Sequence, residues 1–125
     1  MKIIHKYVNY LFYFYNAIVV KIVFKDQLLL DLYTGNKINT KQFRSNPNLV
    51  EKFQLVISRI RKMDDLNQMK QYPAFRYEKL KGKLDGYSSI RLDRKYRLIF
   101  REVYFDYQLN NLKYLEIIEI SNHYS

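Results

Sequence analysis

The sequence predicts an α+β fold: a small antiparallel sheet, built from an N-terminal strand plus a C-terminal three-stranded meander, with two helices packed on one face. Three observations carry this. The stretch "IVVKIVF" over Ile18–Phe24 is short and β-branched, as a strand is. Leu49, Phe53, Val56, Ile60 and Met63 recur at alternating steps of four and three, which draws one apolar stripe along a helix. From Tyr87 onward the period falls to two, in "YSSIRL", "YRLIFREV" and "NLKYLEIIEI". A helical layer laid on a sheet buries one apolar face of each.

Taken in order, the strand ending at Phe24 is followed by Asp26, whose carboxylate can cap a short helix running through Tyr33. The Gly35-Asn36 pair then supplies a turn signal. After a basic linker, Asn46 and Pro47 read as an N-cap with proline at the first helical position. The striped helix that follows runs for about four turns. Arg59, Arg61 and Lys62 sit near its C-terminal end, where cations suit the macrodipole. Asp64 to Tyr72 reads as a further helical turn or a loop, closed by Pro73.

A chain of 125 residues supports one domain with its own core. Residues 19–125 are assigned to it, and residues 1–18 to an N-terminal extension. "MKIIHKYVNYLFYFYNAIVV" is aromatic and apolar behind Lys2 and Lys6, but Asn9 and Asn16 interrupt it and no small-residue cleavage pattern follows. The run falls short of the roughly 20 apolar residues of a bilayer span. An appended extension, an extra packed element and a targeting segment all stay open for it. Function is therefore read from the rest of the chain, and no membrane association is expected.

With no cysteine, disulfides, thiolate nucleophiles and cysteine zinc sites are excluded, and a reducing cytoplasm fits. The two histidines, His5 and His123, are far apart in sequence, which argues against a histidine metal cluster. No metal and no cofactor are expected. The outlying property is charge: 22 Lys plus Arg against 12 Asp plus Glu leave a formal +10, enough to attract a polyanion at long range. Nucleic acid is the commonest such partner, and phenylalanine and tyrosine, 17% of the chain, offer faces on which bases stack. A solvated basic surface or an acidic protein partner would account for the same charge.

Patterning also places the arginines. If Asp93, Arg94 and Lys95 form the first meander loop, Leu92 faces Tyr96, Ile90 faces Leu98, Ser88 faces Phe100 and Arg91 lands opposite Arg97. One sheet face is then apolar, and the other carries Arg91, Arg97 and Arg101. A two-residue loop would pair Leu92 with Arg97 and mix the faces. Like charges directly opposite are destabilising by up to about 1 kcal/mol. A face that gathers them is suited to an anion such as phosphate, whose oxygens the guanidinium fork matches. For the last hairpin, a type I′ turn at Asn110-Asn111 would pair Val103 with Ile118 and Arg101 with Ile120. It would also bring Tyr124 beside Arg97 with His123 next to it. Imidazole titrates near neutral pH, so His123 delivered there is a candidate proton carrier.

"YEKLKGKLDGYSSIRLDRKYRLIF" followed by the terminal "LEIIEISNHYS" resembles the RelE/ParE superfamily of toxin–antitoxin toxins, nearest its HigB-like and YoeB-like ribonucleases. The resemblance covers about Val19 to Ser125 and is strongest from Phe75 to Phe100 and at the C-terminus. It implies a RelE/ParE-like fold of a small sheet with two helices on one face. It further implies a ribosome-dependent mRNA endoribonuclease (mRNA interferase) of the cytoplasm, silenced by an antitoxin encoded next to it. By position, Glu78 matches the general base on the ribose 2′-hydroxyl and Arg97 the phosphate-binding arginine. Arg91 stands at a basic position of the family, and His123 with Tyr124 matches the terminal pair that supplies the general acid. Lys79, Lys81 and Lys83 are implied RNA backbone contacts, and Arg101 extends the same basic face. HigB-like members often carry histidine where this chain has Glu78 and end Asp-Tyr-His; the YoeB-like pattern is met at all four core positions.

Two other functions share parts of this evidence. A ParE-like toxin that inhibits gyrase by contact would not need Glu78 with His123 and Arg97. A non-catalytic RNA-binding module would keep the basic face and lose the acid–base pair.

Overall fold

The structure, a computed structural model, describes residues 20–109 and 111–122. The elements are β1 (Ile22–Phe24), α1 (Gln27–Thr34), α2 (Lys41–Arg44), α3 (Pro47–Arg61), α4 (Leu66–Gln71), β2 (Glu78–Lys79), β3 (Ser88–Arg91), β4 (Tyr96–Asp106) and β5 (Asn111–Asn122). Short 3₁₀ turns at Pro73–Phe75 and Gly82–Leu84 flank β2. The sheet order is β1-β5-β4-β3-β2. β1 runs parallel to β5 and every other neighbour is antiparallel.

The helix termini follow the local chemistry. Asp26 is the N-cap of α1, its carboxylate accepting from Leu29 N at 3.0 Å. Gly35 closes the helix at φ 82°, a left-handed conformation that glycine adopts without steric cost. Asn46 caps α3 through Leu49 N, with Pro47 at the first helical position where its missing N–H costs nothing. Asp65 caps α4 through Gln68 N. The short helix α2 and strand β2 carry too few residues for either period to register in the sequence.

The helices cover one face of the sheet. Leu49, Phe53, Val56, Ile57 and Ile60 of α3 and Leu29 and Leu32 of α1 are buried in one cluster with Ile22, Ile90, Leu98, Phe100, Leu115 and Ile117 of the sheet. Phe53, Ile57, Leu98, Phe100, Leu115 and Ile117 have no measurable exposure. Each such side chain contributes roughly 1.5–3 kcal/mol by leaving water. Gln54 Nε2 donates to Leu32 O at 2.7 Å and ties α3 to α1. No helix among the described residues is long and apolar enough to cross a membrane.

β3 and β4 pair as the patterning requires, with Ser88 opposite Phe100, Ile90 opposite Leu98 and Arg91 opposite Arg97. Asp93 holds the connecting turn by accepting from the backbone nitrogens of Lys95 (2.8 Å) and Tyr96 (2.7 Å). The β4–β5 register differs from the expected one. Val103 pairs with Tyr114, Arg101 with Glu116, Leu98 with Ile120 and Arg97 with Ser121, and the hairpin closes where Asp106 meets Asn111. Register shifts at Ile99/Phe100, Val103/Tyr104 and Tyr104/Asp106 mark irregularities. They let Leu115, Ile117 and Ile120, spaced two and then three apart, all point into the core. Closure at Asp106–Asn111, in place of the expected turn at Asn110-Asn111, sets Arg101 opposite Glu116, 2.8 Å away, instead of Ile120. Ser121 rather than Tyr124 is thus Arg97's cross-strand neighbour. His5, the N-terminal extension 1–18, His123 and Tyr124 lie outside the described residues.

Candidate active site

The site begins at a backbone irregularity. After the 3₁₀ turn, Arg76 adopts φ 46° and ψ 54°, a left-handed conformation that a side-chain-bearing residue enters at a cost of about 1–2 kcal/mol. Its carbonyl accepts from Arg97 Nη2 at 2.7 Å. Strand alternation then sends the next two side chains to opposite faces. Tyr77 lies on the helix side, its hydroxyl donating to Glu102 Oε2 at 2.6 Å and lying 3.1 Å from Ser88 Oγ. Glu78 takes the other side, paired across the ladder with Ser89.

On that side Glu78, Ser89 and Arg97 converge. Arg97 Nε donates to Ser89 Oγ at 2.8 Å, and Nη2 reaches Ser89 O at 3.4 Å as well as Arg76 O. Arg97 is 8% exposed and Ser89 1%. The nearest carboxylate oxygen, Glu78 Oε1, stands 4.0 Å from Nε, and the Glu78 side chain is half exposed. Burying a cation is costly unless it is hydrogen-bonded and paired. Here neutral oxygens supply the hydrogen bonds, and a carboxylate at the limit of contact supplies the charge. Arg91, directly opposite Arg97, turns its Nε to Asp93 O at 3.2 Å, so the two guanidiniums use different anchors.

The remaining basic residues divide. Arg101 shares the face of Arg97 and is bound through Nε and Nη2 to Glu116 Oε1 at 3.1 and 2.8 Å. That hydrogen bond raises its pKa above the ordinary arginine value. Lys79 is on the helix side, lining a cavity of about 430 Å³ with Lys70, Tyr87, Glu102 and Tyr107. Lys81 and Lys83 are exposed in the loop between β2 and β3. Among the described residues no group of three or more His, Cys, Asp or Glu could hold a metal ion.

Two contributors were not singled out from the sequence. Ser89 is legible only as the serine of "YSSIRL" in phase with Arg91. Glu102 is legible as a carboxylate in the core phase of Tyr96, Leu98 and Phe100. It receives hydrogen bonds from Tyr104 (2.5 Å), Tyr77 and Ser88 (3.3 Å) and an ion pair from Lys70 (3.2 Å). Burial pushes its carboxyl up, but the bonds from Tyr104 and Tyr77 and the Lys70 ammonium outweigh burial and leave it below the usual range. Burial, then the bond to Glu102, pushes the Tyr77 phenol up to about 12. Tyr77 therefore locks the backbone next to Glu78 onto β4.

The sequence model of the HigB-like toxin family, described as a RelE-like toxin of the type II toxin–antitoxin system HigB, matches residues 22–118. No curated protein matches the sequence. Among solved structures, the chain is similar to a YoeB/ParE toxin from Agrobacterium tumefaciens, with 23% identity and a TM-score of 0.48 over 82% of this chain and 98% of that one. It is similar to the YoeB–YefM complex from Staphylococcus aureus, with 23% identity and a TM-score of 0.46 over 84% and 98%. It is also similar to the DinJ–YafQ toxin–antitoxin complex of E. coli, with 13% identity and a TM-score of 0.49 over 85% and 94%. The match over more than half the chain decides the family: this chain belongs to the HigB-like, RelE-like toxins of type II toxin–antitoxin systems.

Proposed function

We propose that the protein is an mRNA endoribonuclease acting on the ribosome in the cytoplasm, with the ribose 2′-hydroxyl as nucleophile. The observation that carries this reading is Arg97: a buried guanidinium held by neutral oxygens, with the half-exposed Glu78 carboxylate 4.0 Å away. Glu78 would take the 2′-hydroxyl proton. The 2′-oxygen would attack the adjacent phosphorus in line, with Arg97 stabilising charge on the nonbridging oxygens. The bond from phosphorus to the 5′-oxygen breaks, and His123, aided by Tyr124, would return a proton to the leaving oxygen. The products are a 2′,3′-cyclic phosphate and a 5′-hydroxyl, so atoms and charge balance with the chain's own acid and base.

Arg91 and Arg101 would extend the anion-binding face, and Lys79, Lys81 and Lys83 would follow the RNA backbone beyond it. The antitoxin that defines a type II system is the protein partner in this reading. Incubating the purified protein with translating ribosomes and mapping mRNA 5′ ends tests it. Positioned cuts that disappear in Glu78→Gln and His123→Ala are expected. Intact message together with inhibition of DNA gyrase would overturn the reading in favour of a ParE-like toxin, and binding without cuts would leave an RNA-binding module.

A further inference from the structure

Strand alternation puts Lys79 and Glu78 on opposite faces of β2, so a phosphate held beside Glu78 is out of reach of Lys79. Lys79 opens instead onto the cavity of about 430 Å³ between α4, the β2–β3 loop and the outer end of β4. Tyr87, Tyr104 and Tyr107 line this cavity. The Tyr104 and Tyr107 rings pack at 4.9 Å, and Tyr107 is 72% exposed, so an aromatic surface stays open to solvent. The chain that walls the cavity carries Lys79, Lys81 and Lys83, all exposed and, among the described residues, without an ion pair. Two acids share the lining. Glu102 is spent on Tyr77, Ser88, Tyr104 and Lys70, whereas Asp85 stands exposed on the loop.

Open rings beside free ammoniums answer the two halves of a nucleotide, since a base stacks on tyrosine and a phosphate is drawn to lysine. A bare phosphate would leave the rings without a role. An acidic peptide would meet the lysines and leave Asp85 facing its own carboxylates, whereas a base brings N–H donors that Asp85 can accept from. We infer that this cavity is a second site, holding one nucleotide with its base against Tyr107 and its phosphate at Lys79. The nucleotide is either free or one unit of a single strand. β2 is the outermost strand of the sheet, so a strand lying on the Glu78 and Arg97 face can cross that edge and enter the cavity. In this second form the site rests on the endoribonuclease reading above.

The probes are 5′-AMP, inorganic phosphate and a short single-stranded 2′-O-methyl RNA, which lacks the nucleophile and cannot be cut. Each is titrated against the full chain in about 0.15 M salt, where long-range attraction is already screened. Tyr107→Ala removes the ring, Tyr107→Phe keeps it, and Lys79→Glu reverses the charge. Tyr107 is exposed, so the melting temperature should stay near wild type in both of its variants. The Kd of 5′-AMP should rise about ten-fold in Tyr107→Ala and in Lys79→Glu, and stay within about two-fold in Tyr107→Phe. Inorganic phosphate should bind more weakly than 5′-AMP and be indifferent to Tyr107→Ala. RNA affinity that falls alongside that of 5′-AMP in Tyr107→Ala assigns the site to a strand; RNA affinity that holds while 5′-AMP is lost assigns it to a free nucleotide. Affinity for 5′-AMP that is unchanged in both Tyr107→Ala and Lys79→Glu, or no greater than that for phosphate, would overturn the nucleotide site. No ribosome and no cutting enter these titrations, so a chain that binds 5′-AMP through Tyr107 yet leaves message intact sinks the endoribonuclease reading alone.

Discussion

Arg91 and Arg97 stand directly opposite each other on β3 and β4, and their guanidiniums turn to separate anchors, Arg91 to Asp93 O and Arg97 to Ser89 Oγ and Arg76 O. The repulsion of a like-charged cross-strand pair, up to about 1 kcal/mol, is thereby reduced by geometry and by the Glu78 carboxylate 4.0 Å from Arg97. In the proposed reading both cations stay available to a phosphate.

The arrangement depends on the planar fork, so Arg97→Lys should not substitute for it. A single ammonium cannot serve Ser89 Oγ and Arg76 O while facing a phosphate. Cutting of ribosome-bound message, followed as the rate of appearance of new 5′ ends, should fall about 10²–10³-fold, the usual cost of losing one oriented donor at a developing oxyanion.

Glu78→Gln separates chemistry from stability. The carboxylate is half exposed and its contact with Arg97 is at 4.0 Å, so the lost ion pair should cost less than about 1 kcal/mol and barely move the thermal midpoint. Cleavage should drop about 10²–10⁴-fold as the proposed general base is lost. A melting curve and a cleavage assay on the same preparation check both halves.

In the proposed reaction Ser89 acts as a positioning residue, through its hydrogen bond from Arg97 Nε. Ser89→Ala removes the acceptor of Arg97 Nε in a nearly dry environment and should destabilise the fold by about 1–3 kcal/mol. It should also lower the cleavage rate about ten-fold by letting the guanidinium drift. Ser89→Thr, which keeps the hydroxyl, should recover most of the rate; urea titration alongside single-turnover cleavage reads both effects.

Glu102 gives the fold an acid limit. Its carboxyl is held below the ordinary value of 4.5, so the folded protein takes up that proton less readily than the unfolded chain. The stabilisation is present above pH 4.5 and is lost as pH falls through the lower folded value. At the alkaline end, the Tyr77 phenol is raised from 10.0 to about 12, and its stabilisation disappears as pH climbs through that interval. Glu102→Gln should cost about 1.5–3 kcal/mol at pH 7, as charge-assisted bonds are lost, and should flatten the acid limb of a stability-against-pH curve.

Local signals proved dependable where a residue and its backbone neighbours are the whole interaction. Asp26, Gly35 and the Asn46-Pro47 pair mark helix ends because each satisfies or terminates groups within one turn of itself. The β3–β4 register was equally legible, since a one-residue slip would take Leu92, Ile90, Leu98 and Phe100 off a common face. The β4–β5 register was not. The hairpin closes at Asp106–Asn111, which puts Arg101 four places from its expected partner, and an irregularity at Ile99/Phe100 shifts the phase by one residue beyond it, its trace in the sequence being the two-then-three spacing of Leu115, Ile117 and Ile120.

The candidate site divides along the same line. Sequence alone determined which residue types are available, a carboxylate at 78 and guanidiniums at 91 and 97, and alternation determined that the two arginines share a sheet face. Only the tertiary structure decided that Glu78 stands 4.0 Å from Arg97 and that Ser89 and the Arg76 carbonyl hold the guanidinium. It likewise decided that Lys79 faces away from them. The reason is reach: periodicity reports which side of its own element a residue occupies, whereas contacts between β2, β3 and β4 depend on loop conformations, above all the left-handed Arg76, that no repeat encodes.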